Sequence, residues 1–177
     1  ARLEWLPMET IAYSACQAHN RLRFDLAPGA EMIGWDVLAL GLPAAGQAFD
    51  RGCFVQQLEL PGAWLERGAI DAADARLLDS PMGWAGRRVL ATLWFASGSA
   101  LSPARREDLL DGARAAVAAH DSLSAQAGAT APHERVVVLR ALADRVEPAM
   151  QLLKQVWAAW RGTAWELSAT APRLWRT

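Results

Sequence analysis

The chain has 177 residues, of which 53% are hydrophobic and 21% are charged, and its formal net charge is -1 at pH 7. This length is enough for one domain with a sizeable core, and the composition is that of a globular protein rather than a disordered one. A near-neutral charge argues against a nucleic-acid-binding surface, which normally carries a basic excess. Two cysteines are too few for a secreted scaffold held by disulfides.

The start of the chain carries no targeting signal of the usual kind. The first residue is Ala1, and no charged-then-apolar leader follows it. No apolar run approaches the ~20 residues that a membrane helix needs. We therefore expect a cytoplasmic protein that has no membrane partner.

The first half of the chain is predicted to be rich in strands. Residues 20–26 alternate, with Leu22, Phe24 and Leu26 on one face and charged residues on the other, as in a half-buried strand. Residues 31–40 are apolar on both faces, which is typical of a strand covered on both sides. The predicted strands are Leu3–Leu6, a run that starts at Ile11, Asn20–Leu26, Glu31–Leu40, Phe54–Leu60, Ala63–Ile70 and Val89–Ala96.

Two helices are predicted in the second half. Ser102 and Pro103 form a good helix start, because serine caps free backbone N–H groups and proline suits the first helical position. Apolar residues then recur at helical spacing up to about His120. The second helix is predicted to open within residues 144–148 and to stop at Gly162.

The order of these elements predicts the fold class. Strands come first and helices second, and a short β-branched strand, Val136–Leu139, separates the two helices. This order, without β-α-β alternation, predicts a mainly β or α+β fold, strand-rich with two α-helices in the C-terminal half. No repeat or linker divides the chain, so we expect a single domain over residues 1–177.

The usual catalytic signatures are absent from the sequence. It has no P-loop, no Gly-x-Gly-x-x-Gly after a strand and no Gly-x-Ser-x-Gly elbow. Cys16-x-x-His19 is the one spacing that resembles a metal motif. Residues three apart in a strand point to opposite faces, so these two side chains are not expected to converge on one ion. We predict that the chain is not an enzyme.

Three carboxylates are candidates for function. Asp36 lies inside the most apolar strand, where an unpaired charge is costly. It is either a structural residue bonded to backbone amides or an Arg, or part of a wet internal path or partner site. Glu66 is either an exposed strand charge beside Arg67 or a functional residue. Glu9 follows a corner at Pro7, where it either caps a turn or takes part in function.

Several segments, in the same order along nearly the whole chain, resemble one family. The segment Trp5-Leu6-Pro7-Met8-Glu9-Thr10-Ile11 resembles an internal signature of the urease accessory protein D family, also called H, which helps to load nickel into urease. The further segments that resemble this family are Gly34–Gly41, Ala45–Phe49, Leu65–Arg67, Ala127–Thr130, Val136–Leu139 and Pro172–Trp175.

The resemblance implies a mostly β protein with two helices that acts as a scaffold rather than a catalyst. It implies binding to accessory protein F, through it to the GTPase protein G, and contact with apo-urease. It also implies an internal passage for nickel, and Asp36 and Glu66 match acidic positions associated with that passage. No permanently bound cofactor is expected, only transient nickel at these two carboxylates.

The sequence departs from the family's pattern in three places and in its extent. Met8 stands where the family has a polar residue before Glu9. The family's Arg after Gly41 is Leu42 here, and its Glu after Gly46 is Gln47; Gln47 and Glu9 are kept as secondary site candidates. The family's upstream region is absent, so the chain is expected to be the C-terminal portion of the family domain. A sheet cut in this way exposes an edge, so we expect aggregation or self-association.

Two functions fit the sequence. The first is a scaffold of urease maturation that assists nickel insertion and bridges apo-urease to proteins F and G. The alternative is a generic β-rich protein–protein interaction domain unrelated to urease.

Overall fold

The computed structural model describes residues 1–176 and contains nine strands and three α-helices in this range. The strands are β1 (Arg2–Trp5), β2 (Thr10–Ala12), β3 (Cys16–Arg23), β4 (Glu31–Leu40), β5 (Gly52–Leu60), β6 (Trp64–Asp71), β7 (Val89–Ser97), β8 (Ala127–His133) and β9 (Val136–Ala143). The helices are α1 (Ala75–Asp79), α2 (Pro103–Ala118) and α3 (Val146–Trp165), with short 3-10 helices at Pro43–Ala45 and Arg173–Arg176. The architecture is α+β, as the sequence predicts.

Six strands form a mixed sheet, which we call the central sheet. Its order is β1-β4-β7-β9-β8, and β2 also pairs with β4. Both β1 and β2 run parallel to β4, so together they form one edge strand that is interrupted around Pro7. Proline has no N–H to donate to a strand ladder, which explains the interruption. The strand predicted at Leu3–Leu6 is confirmed as part of this edge, with its bounds shifted by one residue.

The remaining strands form a second, outer sheet in the order β3-β5-β6. The outer sheet packs on one face of the central sheet, and α2 and α3 pack on the other. Strands β4, β7 and β9 are therefore covered on both faces, which is why most of their side chains are apolar. The predicted bounds of Glu31–Leu40 agree with β4.

Hydrophobic side chains form one large cluster and two smaller ones. The large cluster fills the space between the central sheet and the helices, where Trp35, Phe95 and Trp160 are fully buried. Two apolar clusters lie between the two sheets. The buried members of the first are Ala12, Leu38, Leu40, Phe49, Phe54, Ile70, Leu78 and Trp84, and those of the second are Met32, Leu58, Leu60, Trp64, Trp94, Ala96, Val136 and Val138.

The helix starts agree with the sequence, but one helix end does not. Ser102 caps α2 by accepting a hydrogen bond from the Arg105 N–H at 3.3 Å. The predicted stop of α3 at Gly162 is wrong, because the helix continues to Trp165 and ends at Glu166 in the left-handed region. Burial of Trp165 against the core outweighs the penalty of about 1 kcal/mol for an internal glycine. Within residues 1–176, no helix combines the length and the apolar character needed to cross a membrane.

Other differences concern strands and helices that depend on their partners. The strand predicted at Asn20–Leu26 spans Cys16–Arg23 instead, because pairing with β5 sets its ends. The short helix α1 was not predicted; Asp74 caps it by accepting from the Leu77 N–H at 2.9 Å. Strand β8 is rich in Ala, Gly and Pro, so its own sequence gives no strand signal, and pairing with β9 holds it extended.

Candidate functional site

Polar side chains lie together between the central and outer sheets and separate the two apolar clusters there. We call this set the polar layer; its members are Asn20, Asp36, Gln56, Glu66, Thr92 and Arg140. The side chains of Asp36, Gln56 and Thr92 are buried, whereas those of the other three are half-buried. A buried row of this kind inside an apolar interior is costly unless its members satisfy one another.

Strand register brings five of these residues, all but Glu66, to one level. In the central sheet Asp36 pairs with Thr92, and Thr92 pairs with Arg140. In the outer sheet Asn20 pairs with Gln56. Residues that are paired across neighbouring strands point to the same face of a sheet. The two polar rows therefore face each other across the space between the sheets.

Asp36 is the most deeply buried acid of the polar layer, with 4% of its surface exposed. It accepts hydrogen bonds from Gln56 Nε2 at 2.6 Å and from Asn20 Nδ2 at 3.0 Å. Burial raises the pKa of Asp36 above its ordinary value, and the charge of Glu66 acts in the same direction against the two amide hydrogen bonds. The structural interpretation named backbone amides or an Arg as partners; the partners are side-chain amides of the outer sheet instead.

Glu66 has a cationic partner from the central sheet. Arg140 Nε donates to Glu66 Oε2 at 2.6 Å, and a second guanidinium nitrogen contacts the same oxygen. Thr92 Oγ1 lies 3.5 Å from Glu66 Oε1. The sequence interpretation placed Glu66 beside the adjacent Arg67, but the partner is an arginine 74 residues further along the chain.

A cleft of about 240 Å³ opens beside the polar layer. Gln56, Glu66 and Arg67 line it, together with apolar side chains that include Leu77 and Trp84. The Gln56 side chain also carries a buried oxygen, Oε1, that accepts no hydrogen bond from the protein. A buried acceptor without a partner is costly. The cleft thus exposes Glu66, at one side of the polar layer, to solvent.

The chemistry of the polar layer suits weak and exchangeable binding. The part of the chain that the structure describes has no group of three or more His, Cys, Asp or Glu side chains arranged to hold a metal ion. The polar layer offers two carboxylates with amide and hydroxyl oxygens, which are hard ligands for hydrated divalent cations.

The two secondary candidates lie away from the polar layer. Glu9 is half-buried and lines two clefts beside the first turn of α3, on the other face of the central sheet. Gln47 is exposed in the turn that follows β4, where its N–H donates to the Leu42 carbonyl at 3.1 Å. The structure thus brings Asp36 and Glu66 together in one polar layer and leaves Glu9 and Gln47 outside it.

The lone metal-like spacing behaves as predicted. The side chain of Cys16 packs against the first inter-sheet apolar cluster, whereas His19 is exposed on the opposite face of β3. The two residues therefore do not converge on one site.

Four members of the polar layer were not predicted from the sequence, namely Asn20, Gln56, Thr92 and Arg140. A signal was present for one of them. Gln56 lies between Phe54 and Leu58 on the inward face of β5, so it interrupts an apolar row with a polar residue. A polar side chain at an inward position of a strand needs a polar partner, which in principle points to Asp36.

Comparison with known proteins gives consistent matches. The family described as UreD urease accessory protein matches residues 1–176. The chain is 62% identical over 177 residues to the urease accessory protein UreD of Leptothrix cholodnii, covering 100% of this chain and 63% of that protein. It is 61% identical over 177 residues to the urease accessory protein UreD of Variovorax paradoxus, covering 100% and 64%. The chain thus spans a little less than two thirds of the length of these curated relatives.

Proposed function

The chain belongs to the UreD urease accessory protein family, and we propose that it serves as a scaffold in urease maturation. In this role it binds apo-urease together with accessory proteins F and G in the cytoplasm and catalyses no reaction itself. The observation that carries the proposal is the family match over residues 1–176. Because the curated relatives are longer than this chain, their partners are ascribed to it only as part of the proposal.

The same match favours this function over the alternative. The hypothesis of a generic interaction domain unrelated to urease does not explain why the whole chain is 62% identical to a urease accessory protein. The folded core does not separate the two hypotheses, because an apolar interior of this kind suits either one.

We further propose that the polar layer lies on a path by which nickel, the cargo of maturation, reaches urease. Asp36 and Glu66 supply carboxylate oxygens there, and the cleft lined by Gln56 and Glu66 opens to solvent beside them. Support comes from the chemistry of the ligands, since carboxylates and amides exchange a hydrated divalent cation readily. Burial raises the pKa of Asp36 and so disfavours its charge, and a divalent cation would favour that charge.

Co-purification tests the scaffold. The chain is tagged and isolated from cells that express urease with its accessory proteins, and the bound proteins are identified by mass spectrometry. We expect apo-urease and protein F to be retained, with protein G retained only when F is present. Retention of neither urease nor F, from a chain that is folded by circular dichroism, contradicts the scaffold.

A double variant tests the nickel path separately. Asp36→Ala together with Glu66→Ala is expected to lower urease activation in cells while binding to protein F persists. The matched control is Asp108→Ala with Asp121→Ala, which removes two exposed carboxylates far from the polar layer. Normal activation in the first double variant removes Asp36 and Glu66 from the path and leaves the scaffold unaffected.

A further inference from the structure

Arg140 and Glu66 form an ion pair that crosses between the two sheets. Arg140 lies on β9 of the central sheet, and Glu66 lies on β6 of the outer sheet. Arg140 Nε donates to Glu66 Oε2 at 2.6 Å. The other ion pairs within residues 1–176 do not join a strand of one sheet to a strand of the other. This pair is therefore the ion pair through which the polar layer joins the two sheets.

The arginine of this pair reaches solvent more than the glutamate does. The side chain of Arg140 is 41% exposed and that of Glu66 is 22% exposed. The guanidinium can therefore turn toward solvent, whereas Glu66 stays largely buried in the polar layer.

The two acids of the polar layer differ in how they are held. Asp36 accepts hydrogen bonds from the amides of Asn20 and Gln56, and no Arg or Lys pairs with it among the described residues. Glu66, which lines the cleft, has a full positive charge beside it. Since arginine stays protonated at every pH that a protein meets, this charge is permanent. A cation that approaches through the cleft meets a carboxylate that is already neutralised.

We propose that Arg140 is the resident counter-ion of Glu66 and that a divalent cation displaces it when it enters the polar layer. This inference rests on the proposed nickel path and adds a regulation to it. A divalent cation bound at Glu66 repels the guanidinium, which moves into solvent. When the cation leaves, Arg140 returns to Glu66 and competes with rebinding. Arg140 thus sets both the affinity of the polar layer for a divalent cation and the ease with which that cation is released.

The same competition selects by charge. A monovalent cation gains about half the Coulomb energy of a divalent one at the same distance, so it competes poorly with the guanidinium. We therefore expect the polar layer to admit divalent cations and to discriminate against Na⁺ and K⁺ as long as Arg140 is present.

Nickel binding to the purified chain tests the proposal. Arg140→Gln is expected to raise the association constant for Ni²⁺, measured by titration calorimetry at fixed ionic strength, by about five- to tenfold. Adding Glu66→Gln to this variant should abolish the gain. The matched control is Arg87→Gln, which removes another exposed ion pair, with Asp144, outside the polar layer. It should leave Ni²⁺ binding unchanged.

A second variant keeps the test informative if Arg140→Gln misfolds. Arg140→Lys keeps the charge but loses the two-nitrogen contact, so a rise of about two- to threefold is expected. An unchanged association constant in both Arg140 variants, or a gain that persists without Glu66, overturns the counter-ion role. That result is distinct from failure of the nickel path itself, which shows as normal urease activation in the Asp36 and Glu66 double variant.

Discussion

Gln56 donates a hydrogen bond from Nε2 to Asp36 Oδ2 at 2.6 Å and so ties the outer sheet to a carboxylate buried in the central sheet. The other amide atom of Gln56, Oε1, accepts no bond from the protein. Rotation of this amide would present an acceptor to Asp36 in place of a donor. The contact can therefore serve either protonation state of the acid.

This relationship leads to a prediction for Asp36→Asn. Burial, with the charge of Glu66, raises the pKa of Asp36, so the folded state keeps the proton to higher pH than the unfolded state, whose ordinary value is 3.8. At pH values between 3.8 and the raised pKa of the folded state, the folded state binds more protons than the unfolded state. The free energy of unfolding therefore falls as the pH rises through this range. The variant removes this loss, and Gln56 can present Oε1 to the new amide. We expect the free energy of unfolding of Asp36→Asn to increase relative to that of the wild type as the pH rises.

Urea unfolding at several pH values checks this expectation. The difference in unfolding free energy between Asp36→Asn and the wild type should be smallest below the ordinary value of 3.8 and should grow toward neutral pH. A difference that stays the same at every pH would contradict the assignment of a raised pKa to Asp36.

Glu31 gives the opposite pH dependence. Burial alone raises its pKa, but hydrogen bonds from Arg105 and Trp165, with the charges of Arg105 and Arg2, outweigh burial and lower the pKa below 4.5. Its stabilising contribution is therefore complete above pH 4.5 and is lost as the pH falls through the folded value. Glu31→Gln is expected to cost about 1–3 kcal/mol at neutral pH and less in acid, measured by urea unfolding.

A surface carboxylate on α2 provides the control for Glu31. Glu107 lies 3.6 Å from Arg114, and both side chains are more than half exposed. Glu107→Gln should change the unfolding free energy by less than about 0.5 kcal/mol. If both variants lose the same amount, the tie between β4 and the two helices through Glu31 is not a significant source of stability.

Replacing either of two glycines of the central sheet by alanine is expected to have opposite effects on stability. A Cβ at Gly34 would lie 2.5 Å from the Trp94 ring, whereas a Cβ at Gly128 would meet no atom within 4 Å. Gly34→Ala is expected to cost about 1–3 kcal/mol because the buried ring must shift. Gly128→Ala should be neutral or stabilise by up to about 1 kcal/mol. Thermal unfolding of the two variants checks this, and equal melting temperatures would contradict the tight packing at Gly34.

The C-terminal segment is expected to contribute to stability through Trp175. Its ring centroid lies 5.0 Å from those of Trp35 and Trp157, and the Lys154 ammonium lies 5.3 Å from it. Trp175→Ala should therefore cost about 1–3 kcal/mol in urea unfolding. Met82→Ala, at a side chain that is 95% exposed, should cost less than about 0.5 kcal/mol. A similar small loss in both variants would show that the segment is not docked in solution.

Local patterns in the sequence were enough to predict most strands and both long helices. The bounds of β4 and the start of α2 follow from residues close together in the chain, namely an apolar run and a Ser-Pro pair. The end of α3 does not, because Gly162 is outweighed by burial of Trp165 against distant strands. Strand β8 was missed for the same reason, since its pairing with β9 is what keeps it extended.

The sequence by itself determined that Asp36 is an acid in a strand covered on both faces and that it must be satisfied there. It also carried, through ordered segments along the chain, the resemblance to the urease accessory protein D family that the comparisons bear out. Only the tertiary structure decided which residues satisfy Asp36 and that Glu66 pairs with Arg140 across 74 residues. Strand periodicity specifies which way a side chain points, whereas its partner depends on the register and stacking of strands far apart in sequence.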